Sequence, residues 1–380
     1  MVQFCNKCVM PDTRPGLVID PETGICSACR HAEQKETINW QDRQEYLKFI
    51  CDEFRRDDGY YDCIVPVSGG KDSYFATYII KEKMHMNPLL VSVSNLFTTT
   101  KTGEYNLRNL GDVFGCDILS LSLNRKVARH MVRKAFEELG SPTWCYDRAI
   151  YTWPMQVAMK YNIKLIIYGE NTSYEYGGPL HKETFSAIDQ INNDAVKDVG
   201  GLEYWLDEKA DITMKDMQPY IFPSQLEIAK SDLNPVYLSF FMKWSGYHNM
   251  VLAKEWGFKT LDDTSEWDRK GYIEDFDQID SLGYLTHIFM KYPKFGHCRA
   301  TDVASIWVRE SGITREEAIE LVREHDHLLD PRALYDFLSF TGYTDSEFWQ
   351  IVDKFYNRDL FDNINGNWVL KHPVWGKHAW

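Results

Sequence analysis

The chain has 380 residues, with 42 Lys and Arg against 56 Asp and Glu, for a formal net charge of −14. Hydrophobic residues make up 44% and aromatics 14%, which excludes a disordered or low-complexity chain and is enough to bury the cores of two or three domains. The acidic balance excludes a general nucleic-acid coat, because phosphate neutralisation needs a local excess of Lys and Arg. No stretch approaches the ~18–20 apolar residues of a membrane span, and Met1 to Gly16 has no charged segment followed by an apolar one. Nine cysteines over this length are too sparse for a disulfide scaffold. A cytoplasmic protein with reduced thiols is expected, with neither membrane nor nucleic-acid contact.

In chain order, the first chemical signal is Cys5-x-x-Cys8 followed after seventeen residues by Cys26-x-x-Cys29. Each pair aims two thiolates at one point, and two pairs complete a tetrahedron around zinc. The turn-rich segments Pro11 to Gly16 and Asp20 to Gly24 flank the short apolar run Leu17-Val18-Ile19, giving a small zinc ribbon over residues 1–35. Four cysteines leave no position open for water, so a structural rather than a catalytic Zn²⁺ is expected. Chance pairs or a redox C-x-x-C are the alternatives.

The next signal is Asp62-Cys63-Ile64-Val65-Pro66-Val67, a β-branched apolar run that leads into Ser68-Gly69-Gly70-Lys71-Asp72-Ser73 and then into a helical pattern over 74–81. Strand, glycine turn and helix aim free backbone N–H groups at an anion. Further strands are expected at 89–94, 117–121 and 164–168, with helices over 101–114, 126–139 and 148–161 between them. That alternation means parallel βαβ units, with ligands at the carboxyl ends of the strands. Gly169-Glu170-Asn171 follows the fourth strand and sits at such an end. In Trp144-Cys145-Tyr146-Asp147-Arg148, Cys145 reads as a buried structural thiol, with a substrate-pocket wall or a reactive thiol as the alternatives. Asp147 and Arg148 are either pocket groups or an ion pair capping the next helix.

Beyond about residue 200 the βα rhythm fades. Pro235 to Trp256 reads as an aromatic-rich helix, and helical patterns recur at 315–325, 331–340 and 345–357. Thr314-x-x-Glu317 and Thr344-x-x-Glu347 have the spacing of capping boxes. His325-Asp326-His327 reads as a surface helix end rather than a metal site. The expected organisation is a zinc ribbon (1–35), a parallel-sheet α/β nucleotide domain (36–200) and a mainly helical region (201–380).

The six residues 68–73 match the SGGxDS loop of PP-loop ATP pyrophosphatases, and the chain resembles that superfamily. Taken with the four cysteines, Trp144 to Arg148, Tyr168 to Asn171 and the block Lys294-Phe295-Gly296-His297-Cys298-Arg299-Ala300-Thr301-Asp302, it is similar over most of its length to N-acetyl sugar amidotransferases of bacterial surface-polysaccharide and flagellin-sugar biosynthesis. The resemblance implies that ATP is bound by Ser68, Gly69, Gly70, Lys71, Asp72, Ser73 and Gly169, and that Ser68, Lys71, Asp72 and Glu170 serve catalysis with Mg²⁺. It implies adenylylation of an acetamido oxygen on a nucleotide-linked sugar, bound with help from Asn171, Asp147, Arg148, Lys294 and Arg299. No glutaminase segment is evident, so the resemblance further implies a partner glutaminase that supplies ammonia. The alternative is a PP-loop tRNA-modifying enzyme of the 2-thiolase type.

Overall fold

The computed structural model describes residues 2–177, 184–188, 199 and 201–376. Five parallel strands form its sheet, β1 (Cys63–Pro66), β2 (Pro88–Val93), β3 (Ile118–Leu121), β4 (Leu165–Tyr168) and β5 (Asn234–Tyr237), in the order β3-β2-β1-β4-β5. The register sets Ile64 beside Leu89 on one side and beside Ile166 on the other. These central strands are apolar without alternation because helices cover both faces. The chain fills one side of β1 first and then crosses to β4, so the order reverses between β1 and β4. Their carboxyl ends flank the crevice where open α/β sheets place ligands.

The connecting helices begin and end where their side chains allow it. The helix α3 (Lys71–Tyr78) follows β1 and runs into a π-helical turn, Ile79–Lys83. Thr100 and Asn124 cap α4 (Lys101–Phe114) and α5 (Arg125–Leu139), which end on the left-handed glycines Gly115 and Gly140. The long helix α6 (Trp144–Tyr161) starts four residues before its expected position and keeps Pro154 inside it. A short helix, α7 (Thr172–Tyr176), follows β4.

The expected helix over 235–256 is instead a strand and two helices. Pro235-Val236-Tyr237 forms the edge strand β5 beside β4, where a proline lacking N–H is tolerated. A turn of helix covers Leu238–Phe241, and Ser245 then caps α8 (Gly246–Glu255), which packs on α3. The sheet therefore draws its last strand from beyond the domain boundary expected at residue 200, a position that itself lies outside the described residues.

In the C-terminal region α9 (Arg299–Arg309), α10 (Arg315–His325), α11 (Pro331–Thr341) and α12 (Asp345–Phe355) precede an antiparallel hairpin of β6 (Phe361–Ile364) and β7 (Asn367–Leu370). Both expected capping boxes form. The helix end expected at residues 325–327 forms, with Asp326 as the C-cap of α10, but Asp326 is not at the surface. It is buried and accepts hydrogen bonds from the Cys298 and Thr301 backbone N–H groups and from the Thr301 hydroxyl, so it holds the start of α9. Among the described residues no helix is long and apolar enough to cross a membrane.

The N-terminal cysteine segment, followed by α1 (Ser27–Lys35) and α2 (Trp40–Phe54), is fastened to the C-terminal region. The Arg315 guanidinium donates to the Cys5 and Cys8 carbonyls at 3.3 and 3.1 Å, and the Thr13 hydroxyl donates to the Phe295 carbonyl at 2.6 Å. Arg14 forms a buried ion pair with Asp302.

Candidate active site

The four N-terminal thiols converge on one point. Cys5, Cys8, Cys26 and Cys29 are fully buried, and their sulfurs all lie within 4.8 Å of one another. Cys5 and Cys29 are 3.9 Å apart at sulfur, and Cys8 and Cys26 are 3.8 Å apart. A tetrahedron with metal–sulfur bonds of ~2.3 Å has edges of about 3.8 Å, so the cage fits a single four-coordinate ion. The guanidinium of Arg309 stands close enough to Cys8, Cys29 and Cys26 for their charges to raise its pKa, and it offsets the thiolate charge that a bound metal would require.

The 68–73 loop sits where β1 turns into α3. Gly69 has φ +87°, and a Cβ there would lie 2.8 Å from the Leu107 backbone, so only glycine fits. The Ser73 hydroxyl accepts from the Ser68 N–H at 3.0 Å and closes the turn. No side chain caps α3, which leaves the positive end of the helix facing a cleft of about 300 Å³. Residues 68–73, Gly169 and Glu170 all line this cleft, as expected.

The charges around the cleft are coupled. Lys71 is almost fully buried and pairs with Asp72 at 2.7 Å and with Asp277. Burial alone would lower its pKa, but Asp277 and then Asp72 raise it above the usual lysine value. Asp277 also takes a 2.6 Å bond from Arg299. Burial would raise this carboxyl, and Lys71 followed by Arg299 holds it below the usual range. Among the described residues Glu170 forms no ion pair, and the charge of Lys71 only partly offsets what raises its pKa. Burial, and after it the charge of Asp72, pushes its pKa up to about 7.

This shift carries a pH signature. With a folded-state pKa near 7 against an ordinary 4.5, Glu170 contributes stability below about pH 4.5 that is lost as pH rises through 7. In Mg²⁺-free buffer, Glu170→Gln should stabilise the chain at pH 8 by about 1–3 kcal/mol and leave stability at pH 4 unchanged. Equal denaturation midpoints at pH 8 would show that Glu170 is not held in this environment.

The residues expected to bind the sugar are placed elsewhere. Asn171 caps α7, accepting from the Tyr174 N–H at 3.2 Å. Asp147 lies behind the cleft wall, bonded to Thr143 at 2.7 Å and Tyr284 at 3.2 Å, and burial raises its pKa to about 6. The Arg148 guanidinium donates to the Tyr220 carbonyl at 2.9 Å and covers the Phe222 ring. The Lys294 ammonium donates to the Gly140 carbonyl at 2.7 Å. Of this set only Arg299 joins the site, through Asp277. Sequence reasoning missed Asp277 and Asp280, which both line the cleft. The signal available was Glu274-Asp275-Phe276-Asp277-Gln278-Ile279-Asp280, four carboxylates in seven residues outside any regular element.

Residues 270–373 match the family model described as LPS biosynthesis protein WbpG-like, C-terminal domain. An uncharacterized protein of Methanocaldococcus jannaschii is 27% identical over 170 residues, which is 45% of this chain. The match spans only 60% of that relative's length. Solved structures with partial likeness include an NH3-dependent NAD synthetase from Campylobacter jejuni (12% identity, 58% of this chain and 97% of that one, TM-score 0.30). Another is the U34-tRNA thiolase NcsA from Methanococcus maripaludis with its 4Fe–4S cluster (12% identity, 81% and 86%, TM-score 0.30). In residues 270–373, then, the chain is similar to the C-terminal domain of WbpG-like LPS biosynthesis proteins, and in residues 63–78 it places the Ser68–Ser73 loop between a strand and a helix of a parallel α/β core.

Proposed function

We propose that the chain is the synthetase subunit of an ATP-dependent amidotransferase that converts the acetamido group of a nucleotide-linked N-acetyl sugar into an acetamidino group, for O-antigen or flagellin glycan. The observation that carries this reading is the Ser68–Ser73 loop at the sheet's switch point, where an uncapped helix end, Lys71 and the carboxylates of Asp72, Glu170, Asp277 and Asp280 face one cleft. The match of residues 270–373 to an LPS-biosynthesis domain supports the substrate class.

An amide oxygen is a poor leaving group. In the first step it attacks the α-phosphorus of ATP, the bond to pyrophosphate breaks, and an O-adenylyl imidate forms. Ammonia then adds at the imidate carbon, and the carbon–oxygen bond breaks. AMP departs with the oxygen, and the amidine retains a proton as its cation. Backbone N–H groups at Gly69 and Gly70, the α3 N-terminus and Lys71 hold the pyrophosphate where charge develops. Glu170, with a pKa near 7, is matched to accept a proton from the incoming nitrogen. Asp72 and Asp280 line the same cleft and, together with the phosphates, would offer oxygen ligands to Mg²⁺, which would neutralise polyphosphate charge. The four-cysteine cage suits a structural Zn²⁺.

A separate glutaminase as ammonia source is supported by the state of Cys145. It is fully buried, and burial pushes its thiol up to about 12, the opposite of a nucleophilic cysteine. The chain alone should therefore turn over with high ammonium at raised pH and fail with glutamine, and adding the partner should restore glutamine use at neutral pH. Glutamine hydrolysis by the isolated chain, abolished by Cys145→Ala, would overturn the two-subunit reading. The reaction is tested by incubating the chain with ATP, Mg²⁺, ammonium and a panel of nucleotide-linked diacetamido sugars, then weighing the products. AMP, pyrophosphate and a sugar product one mass unit lighter are expected. ADP and phosphate, or no AMP with any sugar, would sink it.

A further inference from the structure

A second chamber of about 360 Å³ lies against the first, and both are bounded by Lys71, Asp72, Phe276 and Asp277. It is walled by α1 of the ribbon, α7, the start of α8, and α9. Each chamber has the size of a site for one small molecule rather than two. If the first holds ATP, the acceptor needs its own approach that ends at the glycine loop, and the second chamber ends there.

Its lining has the chemistry of a sugar nucleotide site. Trp244, Tyr247 and Trp307 offer ring faces, and Tyr247 is 54% exposed although it lies at the mouth. Aromatic faces bind pyranose rings and bases alike through apolar contact. The N-terminus of the ten-residue helix α8 also opens here; the Ser245 hydroxyl accepts from the His248 N–H, no acidic residue stands in the first turn, and the positive end of the helix favours an anion. Lys243 lies beside it and, among the described residues, forms a surface pair with Glu36. Deeper in, Glu175 is nearly buried and pairs with Lys35 through one oxygen, while its Oε1 has no hydrogen-bond partner. A carboxylate oxygen in that position accepts from a sugar hydroxyl or an amide N–H. At the partition, a Cβ on Gly246 would stand 3.3 Å from Lys71 Cε, so the glycine leaves the lysine room. Ammonia alone needs only a water-sized passage, far less than this volume.

Resting on the adenylylation reading above, we propose that this second chamber is the acceptor site. It takes a nucleotide-linked N-acetyl sugar, with the acetamido group at the Lys71–Asp277 partition.

The test is calorimetric binding of UDP-N-acetylglucosamine in the presence of a saturating non-hydrolysable ATP analogue. The wild type is compared with Tyr247→Ala, with Trp307→Ala and with Ala32→Trp, which fills the chamber from α1. Binding to the wild type is expected, with at least tenfold weakening in the variants and analogue affinity within twofold of wild type. Because Tyr247 is exposed, its variant retains the fold even if the chamber-filling one does not. No binding to the wild type, competition with the analogue, or unchanged affinity in Tyr247→Ala and Trp307→Ala would overturn the assignment. So would unchanged sugar affinity combined with a raised KM for ammonium, which would make the chamber the path of nitrogen. Formation of AMP is scored separately. Sugar binding here without AMP would refute adenylylation and leave the site standing, whereas AMP formation indifferent to these variants would refute the site alone.

Discussion

Asp72→Ala is expected to lower AMP formation by at least ~10²-fold, because the substitution removes the carboxylate that orients Lys71 and would hold Mg²⁺ where polyphosphate charge must be stabilised. Asp72 bonds to Lys71 at 2.7 Å and accepts from the Asn249 amide at 2.8 Å, at the floor shared by both chambers. Its side chain remains partly exposed, and Lys71 keeps Asp277 as a partner, so the fold should survive. Asn249→Ala separates the roles, since it removes the bond that orients Asp72 and leaves the carboxylate. A loss of about tenfold or less in that variant, beside the full loss in Asp72→Ala, is the expected pattern. Asp72→Ala turning over within threefold of wild type, with an unchanged melting temperature, would show that the reaction does not run at this loop.

Cys26→Ser should have the second large effect. Protein purified without chelator should carry one zinc per chain, and the variant should lose most of it. Binding to such a cage is folding free energy, apparent values being ~10–16 kcal/mol in isolated zinc peptides. Here part of the ribbon's order comes instead from Arg315, Thr13 and Arg14. The expected outcome is local loosening, read as faster hydrogen exchange over residues 2–35, without global unfolding. Metal analysis that finds no zinc in the wild type would remove the assignment.

The parts that were legible in sequence are those fixed by neighbours along the chain. Cys5 to Cys29, the Ser68–Ser73 turn and the first four strands are local patterns of spacing and burial, and each formed near its expected place. The strand at Pro235 to Tyr237 was hidden because its aromatic continuation mimics a helix face, and only pairing with β4 decides between the two. The hairpin over 361–370 did carry a local signal that was passed over. Asn365-Gly366 stands at its tip, both with positive φ, the preferred composition of a two-residue turn. Asp277 was out of reach for a different reason, since its role is set by Lys71, 206 residues earlier in the chain. The same distance argument applies to Lys294, whose charge and position in the sequence resemble those of a ligand-binding residue until its ammonium is found on the Gly140 carbonyl.

The ties that run from the cysteine segment and from Lys71 into residues 277–315 have a consequence for how the protein is made on the ribosome. The first thirty residues leave the exit tunnel early, yet Arg315, which grips their carbonyls, is translated about three hundred residues later. Lys71 likewise waits for Asp277 before its ammonium has its second counter-charge. Synthesis at ~5–20 residues per second makes that an interval of roughly 15–60 s. Throughout that interval the nascent chain has its phosphate loop but not the far wall of the cleft. A chain stalled before residue 277 would emerge with Lys71 still short of its Asp277 partner.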